Sequence, residues 1–328
     1  MFYIHGCGKA IPESRVTNDD LAEYLDTNDE WITTRTGIKE RRVVGEVHEN
    51  TSTLSTHAAR EALENAGLSA SDIDCVIVAT ASPSQPIPST ANLVAQELGI
   101  SGPAFDINAA CSGFVYGLSV AGGFFAQKMF SNILLIGADA LSTFVDKHDR
   151  STVILFGDGA GAVVLSATDE PGMGILGCDL GGDSSLVSIL EVPKSDQGPT
   201  LQAGSDPVKN YLTMNGQEVF KVAVRSVETS ITKALENASL SANDVDWLVL
   251  HQANIRIIDA ITERLAIDKE KALSNIDKYG NTSAASVPLL LAEVAEQNRF
   301  KDGDLLVFCG FGAGMTWATC IMRWHSPL

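Results

Sequence analysis

The chain has 328 residues, and 45% of them are apolar, which supplies more than enough side chains for a large buried core and excludes intrinsic disorder. Lys plus Arg number 23 against 41 Asp plus Glu, a formal charge of −18 that disfavours a phosphate backbone, so nucleic acid is not an expected partner. An anionic ligand would need a local basic patch, and Arg35, Arg41, Arg42, Arg150 and Arg256 are the positions to watch.

In chain order, the opening MFYIHGCGKAIP lacks the basic and apolar regions of a secretory signal, and a cytoplasmic location is expected. Ala62 to Asp74 reads ALENAGLSASDID, a helix of period 3.6 feeding the apolar strand CVIVAT. A strand AFDI precedes Cys111, and the helix FVYGLSVAGGFFA follows it. The apolar stretch Gly113 to Ala126 falls short of the ~20 residues of a membrane span and predicts a buried core helix instead. Next come the strand NILLIGAD from Asn132 and a Gly-, Ser-, Pro- and Asp-rich segment, Gly181 to Thr213. That segment has no evident internal counterpart and is expected to be an insertion or lid.

Ala234 to Asp246, ALENASLSANDVD, then repeats the earlier segment with ten identities in thirteen positions at an offset of 172, again feeding a strand, WLVLHQ. FDINAACSG and SNIDKYGNTS form a weaker pair at an expected offset of 170, and NILLIGAD pairs with DLLVFCGFG. A period this long suits a duplicated α/β domain rather than a solenoid. Strands such as VIVAT and ILLIG, apolar throughout, must be covered on both faces. The expected architecture is a five-layered α/β/α/β/α sandwich of two halves, residues 1–170 and 171–328, about a pseudo-two-fold axis.

The six cysteines are scattered without a C-x-x-C pair, so neither structural zinc nor a disulfide framework is expected. No metal-ligand set, P-loop, Rossmann fingerprint or G-x-S-x-G elbow is present, and no metal or redox cofactor is implied. Cys111 alone has a special context, a strand end at a helix start, where the helix dipole favours thiolate. It reads either as a nucleophile or as a small buried residue. His251 follows the strand WLVL, and Asn281 lies in the repeat of the Cys111 segment. Both are strand-end positions, where open α/β folds gather their chemistry, and the three are expected to cluster. His5, His48, His57, His148 and His325 lack such placement.

Together the segments DEWITTRTGIKERR from Asp29, AACSGFVY, DRSTVILFGDGAGAVVL, MNGQEVFKVAV, HQANIRI, YGNTSAAS and GFGAGMTWA span essentially the whole chain. In them the sequence resembles the β-ketoacyl-[acyl-carrier-protein] synthase III family of thiolase-fold condensing enzymes. The resemblance implies a thiolase-like sandwich in which Cys111 takes an acyl group from an acyl-coenzyme A primer. Condensation with malonyl-acyl carrier protein then starts fatty acid synthesis, with His251 and Asn281 as the decarboxylation pair. It implies an oxyanion hole from the backbone N–H groups of Cys111 and Ala313. Many relatives have Gly at the latter position, and alanine disfavours a positive φ there. Coenzyme A contacts are implied at Trp31, Arg35, Thr36 and Arg150, with Asn254 and the segment Met214 to Phe220 lining a pantetheine tunnel. The resemblance also places a carrier-protein docking residue at Arg256, a primer-pocket wall at Ile87 reaching across a homodimer, and coenzyme A thioester as substrate with no cofactor. A related enzyme priming a polyketide or other secondary product shares these features. A catalytically silent scaffold homologue would be expected to lose the nucleophile, and all three chemical positions are intact.

Overall fold

A computed structural model describes residues 1–45, 48–193 and 210–325. Nine strands form two large sheets among these residues. Phe2–Ala10 (β1), Cys75–Ala79 (β2), Ala104–Ile107 (β3), Asn132–Ala140 (β4) and Asp158–Ala167 (β5) make the first, in the order β1-β5-β4-β2-β3. Ile175–Gly182 (β6), Trp247–Leu250 (β7), Leu305–Gly312 (β8) and Thr316–Arg323 (β9) make the second, in the order β7-β8-β9-β6. The central pairs β4–β2 and β8–β7 are parallel, and the pairs β4–β5, β5–β1, β8–β9 and β9–β6 are antiparallel. The counterpart of β3 is reduced to one parallel bridge, Leu248 to Ala272.

The helices that matter are Asp29–Thr36 (α1), Thr51–Ala66 (α2), Thr90–Leu98 (α3), Gly113–Ala126 (α4), Gly216–Asn237 (α5), Ile255–Leu265 (α6) and Ser286–Glu296 (α7). Strand alternation decides where they pack. On β4, Ile133 and Leu135 face a central core shared with α4, α7 and the second sheet, whereas Leu134, Ile136 and Ala138 face an outer core under α2 and α3. On β8, Leu306 and Phe308 face the same central core, and Leu305, Val307 and Cys309 face the opposite outer layer with α5 and α6. Each fully buried Leu or Ile here contributes about 1.5–3 kcal/mol relative to exposure. The result is the expected α/β/α/β/α stack, with α4 and α7 as its middle layer, and the Gly113 to Ala126 stretch is a core helix.

The weaker repeat has an offset of 173 rather than 170. The turn Ala110–Ser112 before α4 matches Ser283–Ala285 before α7, and both begin with a left-handed residue, Ala110 at φ 46° and Ser283 at φ 53°. Each turn is seated on a glycine of the other half's sheet. A Cβ on Gly137 of β4 would stand 2.2 Å from the Ala284 carbonyl oxygen. One on Gly310 of β8, its equivalent at offset 173, would stand 2.9 Å from Ser112 Cα and 3.1 Å from the Cys111 carbonyl oxygen. The strict periodicity of the strands hid this, because a short connection before each turn differs in length between the halves.

The Gly181–Thr213 reading needs correction. Gly181 and Gly182 belong to β6, paired with Trp317 and Thr316 of β9. Beyond them a 3₁₀ segment, Ser184–Ile189, leads to a short ribbon in which Leu190–Glu191 pairs with Thr213–Met214. This excursion has a positional counterpart after all: residues 11–50 leave β1 and enter α2 just as residues 183–215 leave β6 and enter α5. Residues 194–209 of the expected insertion lie outside the described residues.

The seating predicts that Gly137→Ala destabilises the fold by about 1–3 kcal/mol, because the obstructing atom is backbone and cannot rotate away. Gly123→Ala on the exposed side of α4, where a Cβ meets nothing within 4 Å, should be neutral or gain about 0.5–1 kcal/mol from helix propensity. Denaturant melts of the two variants check this, and equal stability would contradict the seating.

Candidate active site

Cys111, His251 and Asn281 line one cavity of about 120 Å³, together with Leu155, Phe156, Met214, Phe220, Asn254, Phe311 and Gly312. Cys111 also borders a larger chamber of about 460 Å³ with apolar walls, among them Leu141, Phe144, Val187, Leu190, Val192 and Leu212, with Ser283 and Ala313 also in its lining. The thiol thus sits where two spaces meet, a narrow one carrying the polar side chains and a wide one that is mostly hydrophobic.

Each group is fixed by its element. His251 ends β7, and its N–H donates to the Cys309 carbonyl at 2.8 Å. The ring lies edge-on to Phe311 with centroids 5.2 Å apart. The neighbouring Gln252 holds the strand end, donating to the Leu250 carbonyl at 2.8 Å and accepting from Ser274 at 2.8 Å. Asn281 is clamped in a bridge with the first half: its N–H donates to the Leu155 carbonyl and its carbonyl accepts from Gly157, at 2.8 and 3.0 Å. Gly280 before it needs its glycine, with φ 65° and a Cβ position 2.7 Å from the Leu155 oxygen. The Asn281 Oδ1 accepts the Ser283 N–H at 2.9 Å. With the oxygen so committed, the Nδ2 amide group is the part left to act as donor.

The duplication explains why only one copy of this site exists. At offset 173, Asn281 corresponds to Asn108 and Cys111 to Ala284, and at offset 172, His251 corresponds to Ala79. The backbone differs too. The Ala284 N–H donates to the buried Asp139 carboxylate at 3.1 Å, and that carboxylate also accepts from Thr80, Ala81 and Ser82. The counterpart of Asp139 is Gly312, which faces the Cys111 amide so closely that a Cβ would lie 2.5 Å from the nitrogen. The Cys111 N–H is turned toward its own Sγ, and no bond from it to another described residue is seen. In one half a carboxylate occupies the turn amide, and in the other a glycine leaves it open beside the thiol.

Electrostatics overturn one expectation. Burial pushes the Cys111 thiol up to about 12; the Ser283 hydroxyl, which donates to Sγ at 3.2 Å, offsets this in part, the Asp139 carboxylate adds to it, and the Cys111 N–H eases it slightly. Cys111 lies in the 3₁₀ turn before α4, and desolvation outweighs the favourable helix start. Burial pulls His251 down to about 3. Its Nδ1 has no hydrogen-bond partner among the described residues. The resting pair is therefore a neutral thiol and a neutral imidazole, the latter able to donate one N–H.

The other expected positions separate into groups. Asn254, Met214 and Phe220 line the smaller cavity, and Asn254 Oδ1 also caps α6 by accepting from Arg256 N–H at 2.9 Å. Arg256 is exposed, its guanidinium 5.8 Å from the Phe220 ring. Trp31 is covered by two guanidinium groups, Arg35 at 4.4 Å and Arg150 at 4.8 Å from the ring centroid. α1 ends at Gly37, which lies against Ile255 of α6, between the cavity-lining Asn254 and Ile257. Thr36 is 3% exposed, and its hydroxyl is engaged with the Ile32 carbonyl and the Ile38 N–H, so it braces α1 rather than facing a ligand. Arg41 is buried and donates to Asn18 and to the Ile154 and Val16 carbonyls, and Arg42 donates to the Pro12 and Glu13 carbonyls. Neither belongs to a surface patch. Ala313 borders the chamber, and the left-handed turn residues are Gly314 and Met315, so alanine at 313 meets no φ penalty. Ile87 lines neither cavity and is 86% exposed. Ser283, Gly312 and Asp139 were not singled out from the sequence, although aligning the repeat at 173 would have flagged all three.

Iodoacetamide alkylation, read on the Cys111 peptide by mass spectrometry, should accelerate with pH without levelling off below about pH 9, because a raised thiol yields thiolate only at high pH. A plateau near neutral pH would contradict the neutral resting pair.

Comparison with known proteins adds independent findings. Residues 105–184 match the family model described as 3-oxoacyl-[acyl-carrier-protein (ACP)] synthase III, and residues 235–324 match the model of that family's C terminal. The chain is 47% identical over 326 residues to beta-ketoacyl-[acyl-carrier-protein] synthase III of Roseiflexus sp. (strain RS-1), covering 98% of each chain. It superposes on the crystal structure of 3-oxoacyl-[acyl-carrier-protein] synthase III from Aquifex aeolicus VF5 with a TM-score of 0.91 and 44% identity, over 99% of this chain and 100% of that one. The priming beta-ketosynthase of the R1128 polyketide pathway matches with a TM-score of 0.91 at 33% identity, over 100% and 97%.

Proposed function

This chain belongs to the β-ketoacyl-[acyl-carrier-protein] synthase III family, and on that premise we propose how its residues carry the condensation that starts fatty acid synthesis. The enzyme is an acyltransferase that joins an acyl-coenzyme A primer to malonyl-acyl carrier protein. The observation that carries the residue assignment is the convergence of Cys111, His251 and Asn281 on one cavity beside an open Cys111 amide.

In the first half-reaction the Cys111 sulfur attacks the primer thioester carbonyl. The Cys111–acyl bond forms, the acyl–coenzyme A bond breaks, and the thiol proton ends on the coenzyme A sulfur. The N–H groups of Cys111 and Ala313 hold the oxyanion, a kind of interaction whose removal typically costs about 10²–10³ in rate. In the second, malonyl thioester loses carbon dioxide. The electron pair moves onto the thioester oxygen, where the neutral His251 N–H and the Asn281 amide donate, and the enolate carbon attacks the acyl carbonyl. Cys111 leaves as thiolate and takes up one proton from solvent to restore the resting thiol, and the product is 3-oxoacyl-acyl carrier protein. Donors that carry no full charge suit the task, since the enolate is stabilised without being protonated outright.

Trp31, Arg35 and Arg150 form the coenzyme A mouth, where a purine would slip between the indole and a guanidinium. Met214, Phe220 and Asn254 line the pantetheine path, and the apolar chamber receives the primer chain. Arg256 docks the acidic carrier protein. The proposed reaction takes coenzyme A thioester as substrate and calls on no metal or redox cofactor. A homodimer is supported by β3, a partly buried edge strand paired on one side only, and by the exposed Ile87, which would close the primer chamber of a second copy. We place the boundary between the halves at residues 170 and 171, in the connection from β5 to β6, and the enzyme in the cytoplasm. No helix among the described residues is long and apolar enough to cross a membrane. The polyketide-priming alternative has a structural likeness behind it, but at 33% identity against 44–47% for the fatty acid enzymes.

Cys111→Ala should abolish acyl-enzyme formation with acetyl-coenzyme A while leaving malonyl decarboxylation, and His251→Ala or Asn281→Asp should do the reverse. Intact-mass measurement and release of labelled carbon dioxide separate the two. An acyl adduct on the Cys111→Ala protein, or unchanged gas release in both other variants, would reject these roles. Arg256→Glu should raise KM for malonyl-acyl carrier protein several-fold and flatten its salt dependence, with acylation by coenzyme A donors unchanged. An equal loss with both substrates would exclude a docking role.

A further inference from the structure

The left-handed turn that precedes α7 raises a question about its first residue. Ser283 has φ 53°, and its counterpart Ala110 forms the same turn in the first half at φ 46°. In both copies the N–H of this residue is held by the asparagine two positions earlier, Asn281 at 2.9 Å and Asn108 at 3.2 Å. A methyl group therefore suffices to build the turn, and the Ser283 hydroxyl is not required by it. That hydroxyl is 1% exposed and donates to Cys111 Sγ at 3.2 Å. Among the described residues it is the one side-chain donor on that sulfur.

We propose that Ser283 is a fourth catalytic residue, whose hydroxyl stabilises the Cys111 sulfur as negative charge gathers on it. This rests on Cys111 being the acyl carrier. Charge appears on that sulfur twice: when the thiol attacks the primer thioester, and when the enolate expels it from the acyl-enzyme. In both steps Ser283 keeps its proton, and only the hydrogen bond strengthens, since a bond to a thiolate is stronger than one to a thiol. The hydroxyl also offsets the burial that makes the thiol hard to ionise, a burial the apolar chamber imposes. The backbone and side chain of Ser283 act on different partners, the N–H orienting Asn281 and the hydroxyl serving Cys111.

The test uses Ser283→Ala and Ser283→Gly. Both lack the hydroxyl, Ala reproduces the turn of the first half, and Gly removes any strain at positive φ. Acyl-enzyme formation from acetyl-coenzyme A should slow about tenfold to a hundredfold in both. The pH profile of Cys111 alkylation should move upward in both, and the KM for malonyl-acyl carrier protein should stay as in wild type. Wild-type acylation rates and pH profile in either variant would overturn the proposal. So would a defect in Ser283→Ala that Ser283→Gly repairs, because that pattern assigns the effect to backbone geometry. If intact wild-type enzyme carries its acyl group on a residue other than Cys111, the reading of the nucleophile fails instead, and the two failures are distinguished by mapping the acylated peptide.

Discussion

The arrangement depends on a reciprocal contact: each half of the duplicated chain seats its helix-leading turn on a glycine of the other half's sheet, Ala284 against Gly137 and the Cys111–Ser112 peptide against Gly310. Close backbone approach of this kind tolerates no side chain, so it fixes the two halves at one separation and one rotation. It also carries the thiol of the first half to the second, where His251 stands at a strand end and Asn281 in the loop after a short helix, Ile276–Tyr279. Neither half alone holds a complete set. Symmetry would give two equivalent sites, and the chain breaks it at a few positions. Alanines stand opposite Cys111 and His251, and Asp139 takes the turn amide that Gly312 leaves free. Stability is thereby vested in one turn and chemistry in the other.

Burial is the second constraint. A thiol pushed up to about 12 and an imidazole pulled down to about 3 both reflect removal from water. Such a site holds no standing ion pair and gains its charge only as the reaction proceeds, when fixed donors are worth more than in solvent. Around it the chain carries a net charge of −18, and Arg35, Arg150 and Arg256 are among its exposed cations.

Much of this was legible in the sequence because it rests on local pattern. The ten-in-thirteen identity between ALENAGLSASDID and ALENASLSANDVD marks the duplication, fully apolar strands demand helices on both faces, and Cys111 and His251 follow strands, whereas Asn281, expected at a strand end, follows the short helix Ile276–Tyr279 and is held by a single bridge to Phe156. What escaped detection depends on registration between distant segments. An offset of 170 in place of 173 hid the equivalence of Asp139 with Gly312 and of Ala110 with Ser283. The Gly181–Thr213 segment looked unique because its counterpart, residues 11–50, shares position but not composition. Helix-start logic put Cys111 on the thiolate side because nothing in a linear motif reports how much apolar surface closes over a sulfur. Arg41 and Arg42 likewise look like surface charge until Asn18 and four backbone carbonyls are found to take their donors.

The crystal structure of the enzyme acylated with acetyl-coenzyme A tests the central asymmetry most directly. If Gly312 exists to leave the Cys111 amide open, the acyl carbonyl oxygen will lie within about 2.7–3.1 Å of both the Cys111 and Ala313 nitrogens, with the methyl group in the apolar chamber. A carbonyl oxygen turned instead toward His251 and Asn281, with the Cys111 amide still unengaged, would contradict it.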